Sequence, residues 1–470
     1  MKLLKETQSI CPICHKALMA QYVLDEGKVY LTKTCQEHGN FQSFVAEDDQ
    51  EFLKWIEHPV VNVPPKKAQT TGAGSDSNND GLGSQCPLHC GTCENHLQTA
   101  CCVLIDITDR CNQHCPYCFA RAEEEAGNEP SMEEIERKYD LLLELGEERP
   151  FNIQLSGGEP TVREDLPEII QMGREKGFEY IQINTNGRRL ALEDGYTKKL
   201  KAAGATVIYL QFDGTRDEIY EELRGEPLLD IKKKAISNCK KAGLPVILVP
   251  TIVRQTNLNN IGEMMQFLLT NIDVVKGIHF QPVSFFGRHP DKPVVEKGKW
   301  GDFENRVTMF DIMHEIENQT AGKFRYYDFC PITTGHPLCC FYGTYRKERN
   351  GSVTSLISDE TKKSGVSCCD MQTPLDVIKK DRDYVLVKWD LPEEDDPDYS
   401  DEHTASECSE PIMSFDEFIK EMKRSLFTVS GMAFQDGSNL DADRLKRCRV
   451  QVLSEDDRLI PFCAYNSIYR

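Results

Sequence analysis

Between residues 102 and 283, short apolar runs alternate with longer amphipathic ones, and this alternation is the feature that most restricts the fold. Six runs have the length and side-chain content of strands: CVLIDIT, FNIQLS, YIQINT, TVIYLQF, PVILVPTIV and GIHFQPV. Helical stretches such as SMEEIERKYDLLLELG and LNNIGEMMQFLLTN separate them. This order requires a parallel sheet with right-handed crossovers. Six units are too few for a closed eight-unit barrel, so we predict an α/β fold with a partial (β/α)6 barrel.

The rest of the chain divides by composition. Strand-like runs near the N-terminus, with a turn at Glu26-Gly27, predict a small β-module, and a segment rich in Pro, Gly, Ser and Asn reads as a linker. The C-terminal region includes a very acidic stretch, 391–411, which we expect to be a surface loop. The predicted order is a metal-binding β-module (1–60), a linker (61–85), a second cysteine segment (86–102), the barrel (103–290) and a cysteine-containing C-terminal domain (291–470).

Composition restricts the partners and the cell compartment. The formal net charge of −21 argues against nucleic acid as the main partner, because phosphate binding needs a basic face. No apolar run is long enough to cross a bilayer, and the N-terminus lacks the apolar core of a signal peptide. We therefore expect a cytoplasmic protein that is not integral to a membrane. In that setting the 20 cysteines indicate metal binding rather than disulfides.

Three cysteines fall within eight residues in CNQHCPYCF, directly after the first predicted strand. Cys111, Cys115 and Cys118 can converge on one centre, but they leave a four-coordinate site one ligand short, as in metal sites that keep a position open for another molecule. The loops after the other strands carry GGEP, NGR, DGT, RQTN and SFFGR. Because chemistry in parallel α/β barrels gathers at the carboxyl ends of the strands, these loops predict an active site there.

The CxxxCxxC spacing, the aromatic Phe119 after its last cysteine, GGEP at the next strand and six β/α units together resemble the radical S-adenosylmethionine (radical SAM) superfamily. This resemblance implies that Cys111, Cys115 and Cys118 hold three irons of a [4Fe–4S] cluster while SAM chelates the fourth. Reductive cleavage of SAM would yield a 5′-deoxyadenosyl radical that abstracts hydrogen from an unactivated carbon. It also implies cofactor contacts from Gly157, Gly158, Glu159, Pro160, Asn184, Asn186, Gln211 and Asp213. For the Asn-Gly and Asp-Gly positions, simple turn formation is the alternative.

The remaining cysteines predict further metal sites. The N-terminal CxxC…CxxH set resembles a zinc-ribbon or rubredoxin-like mononuclear site for Zn or Fe, with a structural or an electron-relay role. A second set provides four thiolates for an auxiliary [4Fe–4S] cluster, with Cys102 as an alternative to Cys101. A third set would need long-range convergence, with Cys340 as an alternative to Cys339. The three sets are Cys11, Cys14, Cys35 and His38; Cys86, Cys90, Cys93 and Cys101; and Cys330, Cys339, Cys448 and Cys463.

Taken in their order along the chain, the cysteine sets and the predicted barrel resemble tetraether lipid synthase-like radical SAM proteins and the bacterial radical SAM (seleno)protein TrsS group. The resemblance implies C–C bond formation, methylation or a related modification of a lipid or another small molecule, with a low-potential electron donor such as a ferredoxin or flavodoxin. A lipid substrate would imply peripheral membrane contact. The alternatives are a non-catalytic iron–sulfur electron carrier and a cysteine-rich metal scaffold. GGEP and the polar strand-end loops argue against the carrier, which needs no SAM pocket.

Overall fold

The computed structural model describes residues 1–69, 86–88, 90–122, 129–146, 151–290, 306–357 and 424–470. The predicted linker lies outside the described residues from residue 70 onward, and the predicted acidic loop 391–411 lies outside them entirely. Within the described residues, no helix is both long enough and apolar enough to cross a bilayer.

The described strands fall into an N-terminal sheet and a larger sheet. The N-terminal strands are β1 (Lys2–Ile10), β2 (Ala17–Asp25), β3 (Lys28–Cys35) and β4 (Gly39–Ala46). The others are β5 (Cys102–Thr108), β6 (Asn152–Gly157), β7 (Ile181–Thr185), β8 (Val207–Gln211), β9 (Val246–Val249), β10 (Thr251–Ile252), β11 (Val275–Pro282), β12 (Cys340–Lys347), β13 (Val353–Ser355), β14 (Leu426–Met432), β15 (Val450–Leu453) and β16 (Leu459–Pro461). All six predicted strands are confirmed. They correspond to β5 to β11, because the predicted run PVILVPTIV is divided into β9 and β10.

The helices lie mainly between the strands of the larger sheet. They are α1 (Asp49–Ile56), α2 (Met132–Leu145), α3 (Leu166–Glu175), α4 (Arg188–Leu192), α5 (Tyr196–Ala203), α6 (Asp217–Arg224), α7 (Leu229–Lys241), α8 (Ile261–Thr270), α9 (Met309–Gln319) and α10 (Ala442–Lys446). Ser131 caps α2 by accepting from the Glu134 N–H, and Glu134 bonds back to the Ser131 N–H. The buried face of α2 presents Ile135, Tyr139 and Leu142 to the core outside the sheet.

The N-terminal module is a four-stranded antiparallel sheet in the order β1-β2-β3-β4. The predicted turn at Glu26-Gly27 is confirmed: both residues have positive φ, 50° and 83°, and Asp25 pairs with Lys28. Positive φ at both central residues matches the right-handed twist of a two-residue hairpin. The turn fixes the register that brings the cysteine-bearing ends of β1 and β3 together.

The larger sheet contains eight consecutive parallel strands in the order β14-β11-β9-β8-β7-β6-β5-β15. The six predicted strands are its centre, and the C-terminal region adds one strand at each edge. At the β14 edge, β12 and β13 continue it in antiparallel pairing, and β16 does so beyond β15. The mixed α/β architecture with a parallel barrel sheet is therefore as predicted, while the C-terminal region extends the same sheet.

Candidate functional site

A cavity of about 320 Å³ lies at the carboxyl ends of the parallel strands. Each central strand, or the loop that follows it, contributes side chains to its wall, as expected for a parallel barrel. The C-terminal region contributes Met432, Phe434, Val450 and Phe462. Most predicted site residues of the barrel line the cavity: Cys111, Cys115, Cys118, Gly157, Gly158, Glu159, Asn184, Asn186 and Gln211. Pro160 and Asp213 do not.

The three-cysteine loop is held by the loop after β11. Cys118 N–H donates to the Arg288 carbonyl at 2.9 Å, and Arg288 N–H donates to the Cys118 carbonyl at 2.8 Å. The Arg288 guanidinium also donates to the carbonyls of Cys115 and Ala122. Gly287 has φ of 74°, and a Cβ there would lie 2.3 Å from the Cys118 carbonyl oxygen. Only glycine allows this close approach, so SFFGR positions the thiols.

The thiols of this loop lie in a poorly solvated environment. Burial and the nearby Glu159 carboxylate together raise the pKa of Cys111 to about 12. Burial also raises the pKa of Cys115, while the Arg224 cation opposes that shift. Metal ions bind thiolates, so iron held by these cysteines would displace their protons. Three sulfurs at one wall of the cavity form a donor set that suits an iron–sulfur cluster.

GGEP forms a close-packed floor against the end of β5. Gly158 N–H donates to the Thr108 carbonyl at 2.8 Å, and Glu159 N–H donates to the Arg110 carbonyl at 2.9 Å. A Cβ at Gly157 would lie 2.1 Å from the Thr108 oxygen, and one at Gly158 would lie 2.2 Å from the Arg110 oxygen. Two glycines are therefore required here, because they allow GGEP to pack directly against the backbone that leads into the cysteine loop.

Glu159 connects two strand-end loops. One oxygen accepts from the Thr161 hydroxyl at 2.6 Å and the Thr185 hydroxyl at 2.7 Å, and the other accepts from Asn186 N–H at 2.6 Å. Asn186 in turn donates through Nδ2 to Asn112, next to the first cysteine, at 2.7 Å. The carboxylate is thus held by protein donors, and it links GGEP to the NTNG loop after β7.

Asp213 lies behind the cavity wall, fully buried, where Arg224 donates to both of its oxygens at 2.7 Å. Arg224 also donates to the Tyr117 carbonyl at 2.8 Å, inside the cysteine loop. Gln211 does line the cavity, and its side-chain oxygen accepts from Lys232 at 3.1 Å. The structure therefore places Asp213 in an ion pair beneath the loop rather than at the cavity surface.

The predicted N-terminal metal set is brought together. The ligand atoms of Cys11, Cys14, Cys35 and His38 lie within 4.8 Å of one another. His38 Nδ1 is 3.6 Å from Cys11 Sγ and 3.5 Å from Cys35 Sγ. Burial acts to raise the pKa of Cys35, but hydrogen bonds from the Glu37 backbone and from His38 outweigh it and lower the pKa to about 6. This compact set of sulfur and nitrogen donors suits a single zinc or iron ion.

The second cysteine set is only partly assembled as predicted. Burial raises the pKa of Cys90, and the nearby Cys86 and Cys93 raise it further, which indicates that the three lie close together. Cys102 begins β5, two residues before Leu104, which lines the cavity. Cys101 and Cys102 are instead electrostatic neighbours of Tyr180 and Tyr209 in the barrel interior, and they raise the pKa of both tyrosines.

Three members of the third set come from distant parts of the chain. Burial raises the pKa of Cys448 and of Cys463, and Cys339 adds to both shifts, so the three thiols interact electrostatically. Cys463 Sγ also accepts from the Gln435 N–H at 3.2 Å. Cys330 pairs through its backbone with Tyr342 of β12 and acts on Cys340. The fourth ligand of this predicted set therefore stays a prediction.

Comparison with known proteins agrees with this geometry. Residues 105–268 match the model of the radical SAM superfamily, and residues 3–47 match the HMPTM N-terminal zinc ribbon domain. The chain is 35% identical over 496 residues to the 7,8-dihydro-6-hydroxymethylpterin dimethyltransferase of Methanocaldococcus jannaschii, a match that covers 99% of this chain and 94% of that protein. The chain belongs to the radical SAM superfamily. The expected superfamily and a metal site in the N-terminal module are thus confirmed.

Other radical SAM relatives match less of the chain. A probable GTP 3′,8-cyclase of Methanothermobacter thermautotrophicus is 33% identical over 164 residues, which is 35% of this chain and 52% of that protein. Among solved structures, SuiB of Streptococcus suis bound to the precursor peptide SuiA has a TM-score of 0.37 at 16% identity and covers 48% of this chain and 46% of that chain. The narrower grouping with tetraether lipid synthase-like proteins or TrsS stays a prediction.

Several residues of this radical SAM site were not identified from the sequence. Arg224 and Arg288 hold the cysteine loop from separate elements. Arg288 ends the SFFGR loop, but its contact with the cysteines was not predicted, and no local motif marks Arg224. His279 lines the cavity and bonds through Nδ1 to the Ser430 hydroxyl at 2.9 Å. Burial lowers the pKa of His279 to about 4, so the ring is neutral at pH 7. Its position in β11, at a residue that alternates with buried apolar ones, was the available signal.

Proposed function

We propose that this protein is a radical SAM methyltransferase that acts on a reduced pterin-like heterocycle. The observation that carries this proposal is the end-to-end similarity to the 7,8-dihydro-6-hydroxymethylpterin dimethyltransferase, 99% of this chain against 94% of that one. The match includes the N-terminal zinc ribbon and the C-terminal cysteines, which lie outside the 105–268 superfamily match. The probable GTP cyclase matches about half of its own length, so it supports the superfamily rather than a cyclisation.

The cavity lining supports a heterocyclic substrate over an alkyl chain. Amide side chains of Gln154, Asn184, Gln211 and Gln281 line the wall together with the neutral ring of His279. Amides and a neutral imidazole donate and accept hydrogen bonds, and a pterin-like ring offers matching N–H, ring nitrogen and carbonyl groups. A lipid chain offers no hydrogen-bonding groups to this wall, so it would gain less binding free energy from these side chains than a pterin-like ring would.

Aromatic side chains at one side of the cavity provide an apolar surface of tilted rings. Phe462 packs against Phe434 with 4.5 Å between ring centroids and against Phe286 with 6.2 Å. All three line the cavity. A planar fused ring can pack on such side chains in offset or edge-to-face geometry. We therefore assign the cysteine and GGEP side to SAM and its cluster, and the C-terminal side to the substrate.

We assign the following roles to the residues of this chain. Cys111, Cys115 and Cys118 hold the cluster, which when bound supplies the reductive cleavage of SAM. Gly157 and Gly158 line the cavity and would contact SAM, with Asn184, Asn186 and Gln211 as further contacts. The C-terminal side holds the substrate and excludes water. A low-potential ferredoxin or flavodoxin supplies electrons, and the second and third cysteine sets hold auxiliary clusters. We place the enzyme in the cytoplasm.

An anaerobic assay tests the proposal. The reconstituted full chain is incubated with a chemical reductant, SAM and 7,8-dihydro-6-hydroxymethylpterin, with SAM or a methylene-tetrahydrofolate as the labelled one-carbon source. We expect 5′-deoxyadenosine to form and the pterin to gain mass corresponding to one or two methyl groups, as measured by liquid chromatography and mass spectrometry. GTP and an isoprenoid lipid serve as competing substrates.

The matched control replaces Cys111, Cys115 and Cys118 with Ala. This variant should lose one cluster's worth of iron and all SAM cleavage, because the other metal sites have their own ligands. If the parent modifies the lipid or cyclises GTP and leaves the pterin unchanged, the proposed substrate is wrong. If the triple variant still forms 5′-deoxyadenosine at the parent rate, the assignment of the cluster is wrong.

A further inference from the structure

We propose that Cys86, Cys90, Cys93 and His96 bind one auxiliary iron–sulfur cluster, with His96 as the fourth ligand instead of Cys101. His96 Nδ1 lies 3.6 Å from Cys93 Sγ. The side chain is only 5% exposed, and its Nε2 has no hydrogen-bond partner among the described residues. Nδ1 also accepts from the Cys93 N–H at 3.4 Å, so Nε2 is the nitrogen left to bind iron. Because a buried polar atom without a partner is costly, metal ligation through Nε2 explains the position of the ring.

The N-terminal metal set contains the same local arrangement. There, Cys35 and His38 are separated by two residues, and His38 Nδ1 lies 3.5 Å from Cys35 Sγ. Cys93 and His96 have the same Cys-x-x-His spacing, and the distance between the corresponding atoms is nearly the same. The turn at 93–96 is closed by the His96 N–H, which donates to the Cys93 carbonyl at 3.0 Å. Two separate segments of this chain thus present a histidine to a cysteine sulfur in one geometry.

The other two thiols are electrostatic neighbours of Cys93. Cys86 and Cys93 both act on Cys90, and Lys446 of α10 is an electrostatic neighbour of both Cys86 and His96. The segment is anchored by the C-terminus, because the Tyr469 hydroxyl accepts from the Cys90 N–H at 2.7 Å. The four candidate ligands therefore share one neighbourhood that tertiary contacts hold in place.

Cys102 lies on the other side of the sheet. Thr92, inside the candidate segment, donates through its hydroxyl to the Gln451 side chain at 3.2 Å. Gln451 pairs with Val103, which packs in the core outside the barrel. Cys102 is one residue earlier, so it faces the opposite side of the strand. Its electrostatic neighbours are Tyr180 and Tyr209 of the barrel interior, which are also those of Cys101.

The spacing of the set favours a cluster over a single ion. Among the described residues, the N-terminal set is the group whose four ligand atoms all lie within 4.8 Å. The atoms of Cys86, Cys90, Cys93 and His96 are spread more widely. A four-iron cluster binds one ligand at each iron and so separates them further than one tetrahedral ion does. This site does not depend on the proposed substrate.

The test uses the full chain with Cys111, Cys115 and Cys118 replaced by Ala, so that the radical cluster is absent. Histidine is labelled with 15N, and iron, sulfide and zinc are measured per chain. We expect pulsed EPR of the reduced protein to show a nitrogen coupling that His96→Ala removes together with about four irons. His96→Cys should keep the iron and lose that coupling. Cys101→Ala and His89→Ala are the matched controls, and both should keep iron and coupling.

The assignment is overturned if His96→Ala keeps the full iron content and the nitrogen coupling, or if Cys101→Ala is the variant that loses a cluster. Loss of the coupling in His89→Ala in place of His96→Ala would also overturn it. Loss of zinc rather than iron and sulfide from the His96 variant would show a mononuclear site and contradict the cluster. Because these measurements are made without substrate, failure of the pterin assay leaves them unaffected.

Discussion

At the scale of single residues, the absence of one side chain sets the shape of the cavity floor. Gly158 lies under the backbone of the first strand-end loop. A Cβ atom on it would lie 2.2 Å from the Arg110 carbonyl oxygen and 2.7 Å from the Asp109 carbonyl oxygen. Both neighbours are backbone atoms, which cannot rotate away as a side chain can. The glycine requirement is thus steric, and it couples GGEP to the loop that carries the cysteines.

We expect Gly158→Ala to push GGEP away from this loop and to weaken SAM binding at least tenfold, measured by equilibrium dialysis under anaerobic conditions. Gly177→Ala is the control. Gly177 has φ of 99° and no atom within 4 Å of a built Cβ, so alanine there costs stability of about 1 kcal/mol without a clash near the cavity. Equal SAM affinity in both variants would contradict the role given to Gly158.

His279 predicts an acid sensitivity at the same scale. Its pKa is about 4 in the folded protein because burial disfavours the charged ring, against about 6.5 in an unfolded chain. The folded-state pKa is lowered, so the stability it contributes is present above pH 6.5 and is lost as the pH falls toward 4. Between pH 7.5 and pH 5 this amounts to about 2 kcal/mol.

The comparison is between the parent and His279→Gln, which keeps a hydrogen-bonding side chain but cannot titrate. Thermal unfolding is followed at pH 7.5 and pH 5.0 for both proteins. The loss of stability between the two pH values is then compared between the parent and the variant, so that the effects of other groups cancel. We expect the parent to lose more stability on acidification than His279→Gln does. An identical loss would show that the ring is not held neutral in the folded state.

At the scale of elements, α6 connects the end of β8 to the cysteine loop. Arg224, at the end of α6, pairs with Asp213 and donates to the Tyr117 carbonyl. The pair is almost fully buried, at 6% and 0% side-chain exposure. Breaking such a pair leaves one buried charge uncompensated, which is far more costly than losing a surface ion pair. The ion pair therefore positions the loop from below.

Asp213→Asn should lower the free energy of unfolding by about 3–5 kcal/mol, because Arg224 keeps its charge and loses its partner. Glu263→Gln is the matched control, since Glu263 pairs with Arg216 at the surface, with half-exposed side chains, and should cost less than about 1 kcal/mol. Chemical denaturation of both variants with the cysteine loop unloaded measures this difference. A fall in SAM affinity without a change in stability would instead support Asp213 as a direct cofactor contact.

At the scale of the whole molecule, the C-terminal region extends the sheet of the barrel at both edges. β14 and β15 extend the parallel sheet at opposite edges, and the chain after them lines the cavity through Phe434 and Phe462. The last residue is tied to the barrel, because Arg470 donates to the Asp106 carboxylate at 2.7 Å. The cysteine loop and the C-terminal part of the cavity wall thus come from parts of the chain more than three hundred residues apart.

We expect Cys463→Ala to lose one cluster's worth of iron and to make the C-terminal segment more sensitive to limited proteolysis while the barrel stays folded. Cys463 lies beside Cys339 and Cys448 and also accepts from the Gln435 N–H. Cys239→Ala is the control, because Cys239 is buried in α7 and should lose packing without losing iron. If both variants retain the parent's iron content, the third cysteine set does not bind a cluster.

Local patterns in the sequence determined the strands β5 to β11, the loops that carry CxxxCxxC and GGEP, and the compact N-terminal set of three cysteines and a histidine. Each of these depends on spacing within a few residues or on the strict order of strand and helix, which the chain encodes directly. The turn at Glu26-Gly27 belongs to the same class, because its two positive φ angles are a local requirement.

The tertiary structure alone decided which distant groups meet. Arg288 bonds to Cys118, Asp213 is buried against Arg224, and β14 and β15 lie at the two edges of the parallel sheet. Each of these contacts joins residues whose separation along the chain follows no fixed period. Cys101 matched the second set by proximity in sequence, yet the structure groups it with tyrosines of the barrel interior and leaves His96 beside Cys93. Sequence distance says little about such contacts, because closing a long loop costs only slightly more than closing a short one.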